Sequence, residues 1–232
     1  MKRILTIALS ITATAALGFA QSGTTQATLD STLQTRYASN LANADSEVIM
    51  TNTGADGAGG ALAPLSVGTA SNVTGAICVN VYTLDPGEEL ESCCSCPVTP
   101  DGLVSLFVKA NLLLNPLFPG PAPSSVVIKL YATVPATGPT GCAGSAANTL
   151  AVAAPGLAAW GTTTHVIPGN QSGATGAAVA TETPFTPSTV SASEILKLQQ
   201  TCEIAVNGAA SGAGICSGCV PGGGAFGGSS SK

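Results

Sequence analysis

Three cysteines crowd into four positions in the stretch ESCCSCP: Cys93, Cys94 and Cys96. Neighbouring Cα atoms lie about 3.8 Å apart, below the usual minimum of about 4.4 Å for a bridged pair. Cys93 and Cys94 are therefore not expected to bond to each other. On an extended segment they point to alternate faces, so their partners must come from elsewhere in the chain. Five further cysteines are available, Cys78, Cys142, Cys202, Cys216 and Cys219, and the total of eight is even.

What those thiols do depends on the compartment. Lys2 and Arg3 precede an apolar run from Ile4 to Leu17 and the small-residue pattern Gly18, Phe19, Ala20, which predicts a secretory signal peptide over 1–20. The run is shorter than the roughly 18 residues that span a bilayer, and no later stretch approaches that length. The mature chain is expected to start at Gln21 without a lipid anchor, as a secreted protein, extracellular or periplasmic. In an oxidising compartment thiols pair, so the eight cysteines read first as a disulfide framework.

Charge removes one class of partner. The signal carries two of the seven basic residues, leaving five against twelve acids, and phosphate binding needs clustered Lys and Arg. Nucleic acid is not an expected partner. Charged residues make up 8% and aromatics 4%, while the chain has 28 Gly and 15 Pro, the composition of a loop-rich extracellular β-protein. The glycosylation triplets at Asn72 and Asn170 are weak signals that matter only in a eukaryotic source.

Along the chain, 21–44 reads as a polar leader, its first dozen residues rich in Thr, Gln and Ser. A β-sandwich domain is expected over 45–190. Its clearest piece is a hairpin: Ile77, Val79 and Val81 alternate with Cys78, Asn80 and Tyr82, and Asp85-Pro86-Gly87 supplies turn chemistry. With residues 85–88 as the turn, 78 pairs with 95, which places Cys78 beside Cys94 and Cys96. Further strands are expected at Val48–Thr51, Leu103–Val108, Ser124–Val134 (the strongest), Leu150–Ala153, Ala158–Val166 and Ala177–Glu182. The four prolines of NPLFPGPAP make a connecting loop. The segment 191–220 is expected to hold a helix and then a Cys-containing tail, the helix having Ser191 as N-cap, Glu194 completing a capping box, and Ile195, Leu198, Cys202 and Ala205 at helical spacing. Asn207 and Gly208 stop the helix. The Gly/Ser run 221–232 is expected to be disordered.

Short strands with turn signals and one late helix predict a mainly β fold, an antiparallel sandwich. A strand ending in TNTG, then CVNVYTLDPGEEL and an apolar strand, resembles the Ig-like β-sandwich domains of secreted bacterial proteins. The combination ICVNVYTLDPGEELESCCSCPVTPDGLVSL, with AAWGTTTH and GICSGC, resembles more closely a group of uncharacterised exported bacterial proteins, over about residues 45–219. The resemblance implies export and kinship and brings no activity with it.

Three chemistries compete for the cysteines. As a metal site, Cys78, Cys93, Cys94 and Cys96 would offer four thiolates to Zn²⁺ or Cu(I), although adjacent cysteines rarely both reach one tetrahedral ion. As a redox site, Cys216-Ser-Gly-Cys219 is formally CxxC, but it lies in a Gly-rich tail rather than at a strand-to-helix junction. As staples, Cys78 is expected to pair with Cys94 or Cys96, Cys202 with Cys216 or Cys219, and Cys142 with another member of the cluster. The staple reading is adopted, and no cofactor is assigned.

The remaining candidates are weaker. Asp85, Glu88, Glu89, Glu91 and Asp101 cluster about the hairpin but lack the spacing of a calcium loop, and they read as a solvated edge rather than a glycosidase pair. His165 is the only histidine and no GxSxG elbow exists, so no hydrolytic triad is expected and no residue is assigned a catalytic role. Trp160 is read as core or near-core. The expectation is a non-enzymatic structural or adhesive protein at the cell surface or outside the cell, associating with itself or other surface proteins. The alternative is a periplasmic metal-binding or redox protein using the CCSC cluster.

Overall fold

Alternation of apolar and polar residues, with turn residues between, builds a two-layer antiparallel sandwich. The computed structural model describes residues 31–55, 57, 75–136, 141–166, 178–208 and 212–219. The expected signal peptide, the leader before Ser31, Asn72, Asn170 and the Gly/Ser run lie outside the described residues. The strands are β1 Leu33–Ala38, β2 Glu47–Asn52, β3 Ile77–Leu84, β4 Leu90–Val98, β5 Leu103–Phe107, β6 Val126–Thr133, β7 Leu157–Val166, β8 Ala178–Pro184 and β9 Thr186–Pro187, followed by helix α1 Ala192–Gly208. They form a five-stranded sheet, β4-β3-β6-β1-β9, and a four-stranded sheet, β5-β2-β7-β8.

The core lies between the sheets. Val79, Val81, Ile128 and Leu130 of the first sheet meet Val48, Met50, Val104, Leu106 and Leu157 of the second. The first sheet also carries a second cluster, in which Leu33, Tyr82, Cys93 and Tyr131 pack against Leu198, Cys202 and Ala205 of α1. Every residue of β3 is consequently buried, and the strand is not half-buried as its alternation suggests. Among the described residues no helix packs on the second sheet in the same way, and all seven residues of β8 are exposed.

The leader expected over 21–44 does not extend so far: Leu33–Ala38 is β1, paired with β6 and β9. Of its inward positions 34, 36 and 38, only Ala38 is apolar, so the apolar alternation that reveals other strands is missing. Gln34 Nε2 donates to the Leu157 carbonyl oxygen at 2.6 Å. The Arg36 guanidinium donates to the carbonyl and hydroxyl of Thr183 at 2.8 and 2.6 Å and to the Thr163 hydroxyl at 2.9 Å. It fills the recess over Gly161, where an added Cβ would lie 2.6 Å from Arg36 Nε. The chain changes sheets between β8 and β9 at Phe185, which is buried and whose N–H bonds the Ala159 carbonyl.

The β3–β4 hairpin forms with a different register. The Asp85 N–H bonds the Glu89 carbonyl and the Glu88 N–H bonds the Asp85 carbonyl across the turn, and the left-handed residue is Glu88 at φ 67°, not Gly87. Leu84 pairs with Leu90, an irregularity follows after Thr83, and Cys78 ends opposite Pro97. Leu150–Ala153 forms one bridge, Ala153 to Thr133, rather than a strand. Helix α1 starts as expected, the Glu194 N–H bonding to Ser191 Oγ at 3.2 Å. The Glu194 carboxylate, however, turns to Lys129 Nζ at 2.5 Å instead of closing a capping box.

Candidate functional site

All eight cysteines are bridged, as Cys78–Cys142, Cys93–Cys202, Cys94–Cys216 and Cys96–Cys219. The expected partners of Cys78 and Cys202 are therefore corrected. Cys78 pairs with neither Cys94 nor Cys96, Cys202 pairs with neither Cys216 nor Cys219, and Cys142 takes Cys78 rather than a member of the 93–96 cluster. The reason is strand parity: residues opposed across an antiparallel pair share a face, and Cys78 shares one with Pro97, Ser95 and Cys93. A register shift of two leaves that face unchanged, so Cys78 points away from Cys94 and Cys96 in either register.

Each face then selects its own partners. On the outer face, Cys93 meets Cys202 of α1, and Cys78 meets Cys142 in the loop that follows β6. On the inner face, Cys94 and Cys96 meet the tail, Cys216 and Cys219. The four-thiolate set Cys78, Cys93, Cys94 and Cys96 is not brought together, because it divides between the two faces of the first sheet.

Backbone bonds hold the tail in place besides its sulfurs. The Cys93 N–H donates to the Gly214 carbonyl at 2.8 Å and the Cys216 N–H returns to the Cys93 carbonyl at 3.3 Å. The Gly214 N–H bonds the Asn115 carbonyl at 2.7 Å and the Ser217 N–H the Asn111 carbonyl at 3.0 Å. Residues 214–216 thus run parallel to β4 along its otherwise open edge. Gly218 has φ 90°, a left-handed conformation that turns CSGC so that both its cysteines face β4.

The inner-face sulfurs are crowded. Those of Cys94, Cys96 and Cys219 lie within 4.8 Å of one another, and among the described residues no other trio of Cys, His, Asp or Glu ligand atoms is as close. Cys94 Sγ is 3.3 Å from Cys219 Sγ, its neighbour in the other bridge. Cys96 is fully buried and Cys216 is 8% exposed, whereas Cys94 and Cys219 are half-buried.

The acids do not converge on an ion. Asp85, Glu89 and Glu91 border a cleft of about 510 Å³ lined by Pro116, Phe118 and Pro121. Burial, and then the charges of Asp85 and Glu89, hold the Glu91 carboxyl above the usual carboxylate range. Glu88 closes the hairpin turn and Asp101 a separate turn, where its N–H bonds the Asn52 carbonyl. His165 is exposed, its ring nitrogens beside Asn40 Nδ2 at 3.1 Å and Thr181 Oγ1 at 3.3 Å. Trp160 is half-buried on the outward face of β7, opposite Ile49.

Sequence reasoning missed Arg36, which lies in the stretch read as leader, and the tail's backbone attachment to β4. The CSGC spacing was the available signal for the second. No family model, curated protein or solved structure matches this chain.

Proposed function

We propose that the chain is an exported, disulfide-stabilised structural or adhesive protein, without enzymatic activity, acting at the cell surface or outside the cell. Four bridges suit an oxidising compartment, and no helix among the described residues is long and apolar enough to cross a membrane. The Ig-like kinship belongs to the same proposal, supported by two antiparallel sheets with the chain crossing between them.

The observation that carries the reading is β8. Among the described residues it pairs with β7 alone and exposes all of its own, and such an edge offers unpaired N–H and C=O groups to another strand. Since the Phe185 N–H faces β7, the N–H groups of Ala180 and Glu182, of opposite parity, face the open edge. A proline already stands at Pro184, a position of that same parity.

Ala180→Pro is therefore the test. It removes an outward N–H without breaking the β7 ladder. Sedimentation of the oxidised protein at increasing concentration is expected to show association that Ala180→Pro abolishes. A wild-type chain that stays monomeric at high concentration with its bridges intact counts against assembly through this edge.

A further inference from the structure

The two bridges on the inner face of β4 differ from the two on its outer side in access, crowding and redundancy. Cys93 and Cys202 are both fully buried, and Cys78 and Cys142 are 0% and 3% exposed. Each inner bridge instead has one half-buried sulfur, Cys94 in one and Cys219 in the other, and an external thiolate needs access to a bridge sulfur to attack it. The backbone bonds from the tail to Cys93, Asn111 and Asn115, together with the Cys93–Cys202 bridge, keep CSGC beside β4 whether or not the inner bridges are closed.

We infer that Cys94, Cys96, Cys216 and Cys219 form a four-thiolate site for a soft d¹⁰ cation, Zn²⁺ being the probe, opened when the two inner bridges are reduced. Structural zinc takes four Cys ligands at about 2.3 Å in a tetrahedron, which sets sulfurs about 3.8 Å apart. Three of these sulfurs already lie within 4.8 Å of one another, and the fourth, Cys216, is the bonded partner of Cys94. Opening each bridge to tetrahedral spacing moves its sulfurs apart by about 2 Å, which side-chain rotation supplies. The spacing CSC on a strand and CSGC on a turn with a left-handed glycine gives two ligands from each arm. This set differs from the one the sequence suggests, and it does not depend on whether β8 associates.

The chemistry balances with a dithiol as reductant. Its thiolate attacks the Cys94 or Cys219 sulfur, the S–S bond breaks, and Cys216 or Cys96 leaves as thiolate. The second thiol of the reductant then closes its own disulfide and releases the attacked cysteine. Two dithiols become two cyclic disulfides, and four protein thiols appear. Binding Zn²⁺ to the four thiolates releases their remaining protons.

The test uses the full mature protein. It is treated with graded dithiol, desalted under anaerobic conditions and given Zn²⁺ alone, and bound metal and alkylated cysteines are measured together. The oxidised chain is expected to bind none, and the chain reduced at two bridges about one Zn²⁺ per molecule. Thiols should appear first at Cys94, Cys96, Cys216 and Cys219, zinc should protect those four from alkylation, and Co²⁺ in place of zinc should give the visible absorption of a tetrahedral thiolate site. Cys96→Ser with Cys219→Ser should lose the zinc, and Cys78→Ser with Cys142→Ser should retain it. If the first variant does not fold, the wild-type alkylation pattern decides. No zinc uptake after reduction, equal uptake by the oxidised chain, or first release of Cys78, Cys93, Cys142 or Cys202 would overturn the site.

Discussion

The two sheets of this sandwich solve opposite problems. The first is secured across its outer face and along one edge: α1 packs on that face, the tail lies along the β4 edge, and all four bridges attach to β3 or β4. Among the described residues the second has no bridge, and its edge strand β8 is exposed throughout and pairs with β7 alone. A Gly-rich chain with few aromatics gains rigidity from covalent links where they can be placed, and here they are all placed on the first sheet.

The sharpest way to break the contrast is proline. Val79→Pro, in the buried centre of β3, is expected to cost about 3 kcal/mol or more, whereas Ala180→Pro on β8 should change stability by less than about 0.5 kcal/mol. Chemical denaturation of both variants checks this, and equal costs would mean that β8 is not a free edge.

The bridges come next. Cys78–Cys142 spans 64 residues and its removal should cost about 4 kcal/mol on loop entropy. Cys96–Cys219 closes only about five further residues once Cys94–Cys216 is in place, and its removal should cost about 2 kcal/mol by the same relation. Thermal unfolding of the two paired Cys→Ser variants measures the difference, and the reverse order would contradict the claim that the inner bridges are partly redundant.

A smaller effect probes the contact between the sheets. Gly161→Ala places a methyl 2.6 Å from the Arg36 guanidinium and should destabilise by about 1–3 kcal/mol. Arg36→Ala in the same background should recover part of that loss, since the clash then disappears. A full, additive loss in the double variant would show that Arg36 does not occupy the recess.

Smallest are the pH effects. Glu91 is raised, so the folded chain holds its proton more tightly than the unfolded chain. Stability from this group therefore falls as pH rises through the window that opens above the ordinary value of 4.5. Glu91→Gln should add less than about 1 kcal/mol at neutral pH and flatten the slope in that window. Glu194 is held low by its hydrogen bond to Lys129, so its contribution has the opposite sign, present above the ordinary carboxylate range and lost as pH falls. Urea titrations of both Glu→Gln variants, from about two pH units below the ordinary carboxylate value to about two above it, separate the two.

Much of the first sheet was legible because its signals are local. The β3–β4 hairpin and β6 follow from a period of two, and α1 from Ser191 and its helical spacing. Strand β1 was hidden because Gln34 and Arg36 occupy core-facing positions and take polar partners from β7 and β8, far along the chain. The sequence also carried the face of each cysteine, since alternation puts Cys93 opposite in sense to Cys94 and Cys96. It did not carry which distant segment covers which face, because that depends on how α1, the 141–147 loop and the tail fold back. The pairing of Cys78 was misjudged by weighing register alone without side-chain parity.

Stepwise reduction of the oxidised protein with mass mapping tests the arrangement of bridges directly. The expected intact mass is lowered by the eight hydrogens of four bridges, with Cys78 linked to Cys142, Cys93 to Cys202, and Cys94 and Cys96 to the tail. A peptide joining Cys78 to Cys94 or Cys96, or Cys202 to the tail, would contradict it.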